Sequence, residues 1–127
     1  MNTVWQQYVD RHLVGTRQMR HGAILGLNGS TWGASAGFAV RPDEGRSLAL
    51  LLGERSIAGR VFTVGGARYT AGRCDPHVVH GTNSDSGLVA LQARGALVVG
   101  VYDGRDVPER AREAVEKLAR RLLDDRG

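Results

Sequence analysis

The sequence predicts an α+β fold in which one antiparallel sheet is sandwiched between terminal and internal helices. Helical apolar spacing occurs near both ends of the chain, a hairpin pattern follows the first helix, and five short strand-like segments occupy residues 59–103. The chain has 127 residues, of which 42% are hydrophobic and 24% charged. This is enough to bury a core without disulfides or metal, so residues 1–127 are expected to form one domain.

The first helix is predicted at the N-terminus, where Thr3 and Gln6 match a capping box and Gly15 would end the helix. Its apolar residues follow helical spacing: Val4, Trp5, Tyr8, Val9 and Leu13. The segment "HGAILGLNGSTWGASAGF" then predicts a β-hairpin. Asn28-Gly29 is typical of a two-residue type I′ turn, because both central positions of that turn need positive φ.

A short helix is predicted after Pro42, with Leu48, Leu51 and Leu52 on its buried side. The strand-like segments come next: "GRVFTVGG", "ARYTAGRC", "HVVHGT", "SGLVALQA" and "GALVVGVYD". The near-continuous apolar run "ALVVGVY" indicates a central strand covered on both faces. Asp106 and Glu109 form a capping box for the last helix. The apolar stripe of that helix comprises Ala111, Ala114, Val115, Leu118, Ala119 and Leu122.

The charge balance favours acidic partners. The chain has 17 Lys+Arg against 13 Asp+Glu, a net charge of +4, and Lys117 is its only lysine. The arginine-rich composition fits a GC-rich genome equally well. Cys74 has no second cysteine to pair with, no apolar stretch is long enough to cross a bilayer, and the N-terminus lacks the pattern of a signal peptide. A cytoplasmic protein is therefore expected.

No group of residues predicts catalysis. His77 and His80 are three apart on a predicted strand, so they point to opposite faces and make a poor metal site. Cys74 is best interpreted as a half-buried thiol. The glycines of "GLNGSTWGASAG" lack the strand-turn-helix order of a dinucleotide site. We therefore expect no enzyme, no metal and no cofactor.

Three aromatic residues leave two interpretations open: Trp5, Tyr8 and Trp32 either pack in the core or form an exposed surface. A row of exposed rings binds proline-rich segments, because a polyproline II helix loses little entropy when it stacks on aromatic faces.

The order of several segments resembles the profilin family from Thr3 to Arg126. "WQQYVDRHL" resembles the opening helix of plant and protist profilins, and "AILGLNGSTWGAS" resembles their first hairpin. "TVGGARYTAG" matches their Gly-Gly-x-basic-aromatic strand pair, "ALVVGVYD" the strand before the last helix, and "VEKLARRLLD" the closing helix. The resemblance implies that the N- and C-terminal helices pack on one face of the sheet and the short helix on the other.

The resemblance implies a cytoskeletal adaptor that binds monomers of actin or an actin-like protein, binds proline-rich segments, and regulates filament assembly. The proline groove of profilins lies between the terminal helices, where Trp5, Tyr8 and Trp32 hold the matching positions, beside Arg121 and Leu122. Arg121 stands where many profilins have an aromatic residue or histidine. An arginine can still stack on a proline ring.

The implied actin-binding residues are Arg68, Arg73, His80 and Arg112. Five positions of this region depart from the family pattern. His80 replaces an arginine, Thr82 and Asn83 stand where lysines are common, Asp85 adds a negative charge, and Arg112 stands where an asparagine is frequent. Lost charge partners at an interface weaken or slow association. A divergent actin-like partner is therefore the alternative to ordinary eukaryotic actin.

Profilins also bind phosphoinositides, and the arginines of the last helix, Arg112, Arg120 and Arg121, are the implied lipid-binding residues. The alternative for this helix is a solvated face with ion pairs between Glu113 and Lys117 and between Glu116 and Arg120. The alternative for the whole chain is an acidic-lipid-binding or scaffold domain that does not bind eukaryotic actin. Nucleic acid is not an expected partner, because the aromatic residues are too few to stack a run of bases.

Overall fold

The computed structural model describes residues 20–35, 38–52, 59–72, 78–93, 95–103 and 108–126. The strands are β1 (His21–Gly26), β2 (Thr31–Ala34), β3 (Val61–Val64), β4 (Ala67–Ala71), β5 (Val78–Thr82), β6 (Ser86–Ala93) and β7 (Ala96–Asp103). The helices are α1 (Pro42–Leu52) and α2 (Pro108–Arg126). The predicted first helix, Cys74 and His77 lie outside the described residues, as does Asp106 of the predicted capping box.

The strands form one seven-stranded sheet in the order β2-β1-β7-β6-β5-β4-β3, and every neighbouring pair is antiparallel. The five predicted strand segments are therefore confirmed. Strand β7 lies between β1 and β6 and is buried from Ala96 to Tyr102. This burial on both faces explains why "ALVVGVY" is almost continuously apolar.

Alternate residues of the strands belong to two separate cores, one on each face of the sheet. In β7, Leu97 and Val99 join the core that contains Leu48 of α1. Val98 joins the core that contains Val115 and Leu118 of α2. The two helices thus cover opposite faces, as predicted. The predicted burial is confirmed for Leu48, Leu51 and Leu52 in α1, and for Ala114, Val115, Leu118 and Ala119 in α2. The side chains of Ala111 and Leu122, which complete the predicted stripe, lie outside the described residues.

The predicted hairpin of β1 and β2 is confirmed, but its predicted two-residue type I′ turn is wrong. The Gly26 N–H donates to the Ser30 carbonyl at 2.7 Å and the Gly29 N–H to the Gly26 carbonyl at 3.0 Å, which leaves a three-residue loop. Gly29 has φ of 93°. This geometry is a type I turn followed by a left-handed glycine, the usual three-residue hairpin loop. The sequence pattern was compatible with both loop lengths.

A two-residue turn with two left-handed residues joins β3 to β4 instead. Gly65 and Gly66 have φ of 62° and 82°, and Val64 pairs directly with Ala67. Such a turn suits glycine because a Cβ is disfavoured at positive φ.

Within the described residues, neither helix is long and apolar enough to cross a membrane.

Candidate functional site: two surfaces beside helix α2

Helix α2 divides one face of the sheet into two regions. It packs chiefly on the two central strands β6 and β7. Strands β1 and β2 extend beyond it on one side, and β5, β4 and β3 on the other. A surface on β2 and a surface on β3–β5 therefore face the same way with α2 between them.

On the larger side, side chains from three strands form what we call the β3–β5 face: Val61, Thr63, Arg68, Thr70, His80 and Thr82. Their neighbours Phe62, Tyr69 and Val79 belong to the opposite core, so the alternation of strand side chains places these six on the α2 side. All are exposed except His80, which is half-buried. Arg68 pairs across strands with Thr63, and Thr70 with Thr82.

His80 lies at the inner border of this face and is held by Tyr102 of β7. His80 Nε2 and the Tyr102 hydroxyl are 2.5 Å apart. The Tyr102 ring reaches His80 by crossing β6 over Gly87, where a Cβ would lie 2.1 Å from the ring. The absence of a side chain at Gly87 is therefore what allows this hydrogen bond. It fixes the orientation of the imidazole in the β3–β5 face.

Asn83, which stands where the resemblance places a lysine, has a structural role. Its Oδ1 accepts the backbone N–H groups of Asp85 and Ser86 at 2.9 and 2.8 Å, which closes the turn between β5 and β6. Its amide nitrogen donates to the Arg68 carbonyl at 3.1 Å. Asn83 thus connects this turn to the strand that carries Arg68. A side-chain amide suits the position because its nitrogen donates one hydrogen bond while its oxygen accepts the two backbone N–H groups.

Sequence reasoning missed Glu44, whose buried carboxylate joins α1 to the turn between β3 and β4. It accepts the N–H of Arg41 at 2.9 Å and those of Gly65 and Gly66 at 3.0 and 3.2 Å. The first bond is half of a capping box, since Pro42 is the first helical residue and Glu44 the third. That spacing could have predicted the cap. The hydrogen bond from Gly65 joins residues 21 apart in the sequence, and no local sequence pattern predicts it.

On the smaller side, Trp32 is half-buried against the core under α2. A β-bulge places it there: Ile24 pairs with Gly33 and Leu25 with Thr31, so Trp32 is the extra residue of β2. Its indole lies over Gly26, where a Cβ would be 3.1 Å from Trp32 Nε1. Trp5 and Tyr8 lie outside the described residues, and so do the side chains of Arg121 and Leu122. The described residues therefore place only Trp32 of the predicted proline-binding set.

The arginines of α2 include one ion pair that the sequence analysis did not name. Arg112 Nε donates to Glu116 Oε1 at 2.9 Å, so Glu116 pairs with the residue four before it. Arg120 is exposed. Arg73, the remaining predicted actin-binding residue, lies outside the described residues.

Among the residues that the structure does describe, no three His, Cys, Asp or Glu side chains are placed to hold a metal ion.

Two titratable groups on the α1 side have shifted pKa values. Burial and the nearby Arg20 charge lower the pKa of His21 below 6.5. The His21 ring stacks on Phe38 at 5.2 Å, and its Nδ1 is buried with no hydrogen-bond partner in the described part of the chain. Burial raises the pKa of Tyr69 above 10.0, and a hydrogen bond with Ser86 opposes that rise.

Comparison with known proteins places this arrangement in a family. The family model described as profilin matches residues 3–126. The chain belongs to the profilin family. It is 39% identical over 120 residues to profilin-1A of Acanthamoeba castellanii, covering 94% of this chain and 95% of that protein. It is 35% identical over 123 residues to profilin-1 of Dictyostelium discoideum, covering 95% and 97%.

Solved profilin structures share the whole fold. Acanthamoeba castellanii profilin IA superposes with a TM-score of 0.89 at 38% identity, covering 97% of this chain and 99% of that one. Schizosaccharomyces pombe profilin gives a TM-score of 0.86 at 30% identity, covering 94% and 97%. LokiProfilin2, solved in a complex with rabbit actin, gives 0.79 at 16% identity, covering 98% of each chain. At that identity the last likeness concerns the fold alone. The predicted family and fold are confirmed.

Proposed function

We propose that this profilin is a cytoplasmic, cytoskeleton-associated and non-enzymatic protein that binds monomers of actin or an actin-like protein and so regulates filament assembly. The observation that carries the proposal is the β3–β5 face, a part of the sheet that α2 leaves uncovered. The family of the chain adds to it, since the profilin model matches residues 3–126. LokiProfilin2, which shares the fold at 16% identity, was solved in a complex with rabbit actin.

The β3–β5 face suits a protein partner, because it combines a charge with flat β-branched surface. Arg68 is exposed and presents a guanidinium that pairs with a carboxylate of the partner. Val61 is 57% exposed and supplies apolar area beside the hydroxyls of Thr63 and Thr70. His80, held by Tyr102, adds an oriented imidazole. We propose Arg73 and Arg112 as further contacts to the monomer, in addition to this face. A monomer covered there cannot add to a filament through the covered surface, and no covalent step is needed.

The test is a titration of the protein against muscle actin and against any actin homologue of its own genome. Arg68→Glu is expected to weaken binding at least about tenfold, because it replaces an attraction at the interface by repulsion. Arg46→Glu is the matched control, since Arg46 is exposed on α1, on the opposite face of the sheet. Equal affinities of wild type and Arg68→Glu would contradict the assigned surface. Absence of binding to every actin tested would contradict the function.

We further propose that Trp32 binds proline-rich segments together with Trp5, Tyr8, Arg121 and Leu122. The support is the half-buried position of Trp32 on the α2 face, since a flat indole partly open to solvent stacks on proline rings. A proline decamer is expected to change the tryptophan fluorescence, and Trp32→Ala to weaken its binding. Unchanged emission at millimolar peptide would remove this role.

Binding of phosphoinositides has less support than binding of actin. Arg112 is paired with Glu116, which reduces the positive charge that α2 presents to a lipid headgroup. Arg120 and Arg121 are the remaining candidate contacts. Flotation with liposomes that contain or lack phosphoinositides tests this alternative, and binding that needs these lipids and is lost in Arg120→Glu would favour it.

A further inference from the structure

We propose that the outer edge of β3 and the cavity beside it bind an extended, proline-free peptide segment of a partner protein, which adds to the sheet as a further strand. We call this region the β3 edge site; it comprises Val61 and Thr63 of the edge and Leu50, Leu51 and Phe62 of the cavity. Strand β3 is the last strand of the sheet, at the end opposite to β2. The site is thus separate from Trp32.

The backbone of β3 offers unused hydrogen-bonding groups to a neighbouring strand. Val64 and Ala67 close a two-residue turn, and the Ala71 N–H donates to the Arg60 carbonyl at 2.7 Å. Because inward and outward groups alternate along an antiparallel strand, the backbone groups of Val61 and Thr63 point away from β4. No strand within the described residues pairs with that edge. An exposed edge with such groups is a template for strand addition.

A cavity of about 450 Å³ lies between this edge and α1. Leu50, Leu51 and Phe62 supply apolar lining, and Asp43, Ser47 and Arg60 contribute polar groups. Leu50 is 71% exposed and Val61 57%, and they are two of the three large hydrophobic residues exposed in the described chain. The lining is mixed, with polar and charged groups beside the leucines and Phe62, and a cavity of this volume accommodates one or two side chains whose apolar part packs on the leucines and Phe62. An extended segment at the edge presents every second side chain to it.

The occupant is a peptide segment and not a second copy of this chain. A second β3 paired with the first would have to fill the cavity with side chains on its α1 side. These are Phe62 and Val64, which are buried in their own core and cannot reach across. A four-residue edge also spans only about 13 Å. It would bury far less than the roughly 1,200 Å² of a stable interface. A free peptide has no core of its own to fill, so its side chains can enter the cavity, whose rim carries both Asp43, which is ion-paired with Arg41, and Arg60.

The test uses isotope-labelled protein and a capped heptapeptide, Lys-Thr-Val-Leu-Val-Thr-Lys, whose central leucine is meant for the cavity. The backbone amide NMR signals of Val61 and Thr63 are expected to shift with peptide, with a Kd below about 1 mM. The same peptide, N-methylated at the positions that face β3, keeps its side chains but cannot donate these hydrogen bonds, so it is expected to leave the signals unchanged.

Two variants locate the contact. Leu50→Asp is expected to weaken peptide binding at least about tenfold, whereas Leu27→Asp, at a residue 41% exposed in the β1–β2 loop, leaves it unchanged. Val61→Pro removes an outward N–H without breaking a ladder bond to β4, and it is expected to weaken binding while the protein stays folded. No shift at about 2 mM peptide, equal binding of the N-methylated peptide, or shifts confined to the region of Trp32 would each overturn the proposal.

Discussion

Replacing Glu44 by alanine is expected to destabilise the fold by about 3 kcal/mol. The carboxylate accepts three backbone N–H groups, from Arg41, Gly65 and Gly66, at 2.9 to 3.2 Å. A buried donor left without its acceptor costs about 1–3 kcal/mol. We take the lower end of that range, about 1 kcal/mol per donor, because these bonds are only partly buried and water can replace the carboxylate. The loss is a large fraction of a typical folding free energy.

Urea unfolding followed by circular dichroism measures this loss. Glu44→Gln keeps one carbonyl oxygen and loses the charge, so a smaller cost of about 1–2 kcal/mol is expected. Asp43→Ala is the matched control: Asp43 is the preceding residue, and its ion pair with Arg41 is exposed, which limits the expected effect to about 0.5 kcal/mol. If Glu44→Ala and Asp43→Ala destabilise equally, the three hydrogen bonds of Glu44 do not stabilise the fold, and our reasoning is wrong.

Two further predictions concern Gly87 and His21. Gly87→Ala places a Cβ 2.1 Å from the Tyr102 ring, which must move and release His80, so a cost of about 1–3 kcal/mol is expected in the same assay. Gly72→Ala, whose Cβ has no neighbour closer than 3.6 Å, should be nearly neutral, and equal effects of the two would refute the steric argument. The lowered pKa of His21 means that the unfolded chain binds a proton more readily, so stability should fall as pH drops from above 6.5 toward the lowered pKa. His21→Gln should flatten this part of the pH profile, and parallel profiles of variant and wild type would contradict it.

The helices and strands could be predicted from the sequence because each depends on a local apolar pattern. Leu48, Leu51 and Leu52 repeat at helical spacing, and burial of that side is what keeps α1 on the sheet. The run "ALVVGVY" is apolar throughout because both helices cover β7. The resemblance to profilins supplied what local patterns lack, which is the assignment of α1 and α2 to opposite faces.

The site was less predictable because its side chains are placed by contacts distant in sequence. Trp32 reaches the α2 face through one extra residue in β2, and strict alternation along the strand would have placed it on the other side. The hydrogen bond from His80 to Tyr102 needs Gly87 on the strand between them. Neither a bulge nor a ring that crosses a glycine leaves a periodic signal in the sequence.

The positions of the two surfaces bear on whether one molecule can use both at once. Trp32 is on β2 and Arg68 on β4, five strands apart in the sheet, with α2 standing between them. At about 4.8 Å between strands, they are separated by roughly 24 Å. Under the two proposed functions, a proline segment stacked on Trp32 therefore does not have to leave before a monomer covers the β3–β5 face. An adaptor needs this independence, because it must hold the proline-rich chain and the monomer together. The fold allows this independence because both surfaces lie on one face of the sheet and α2 separates them.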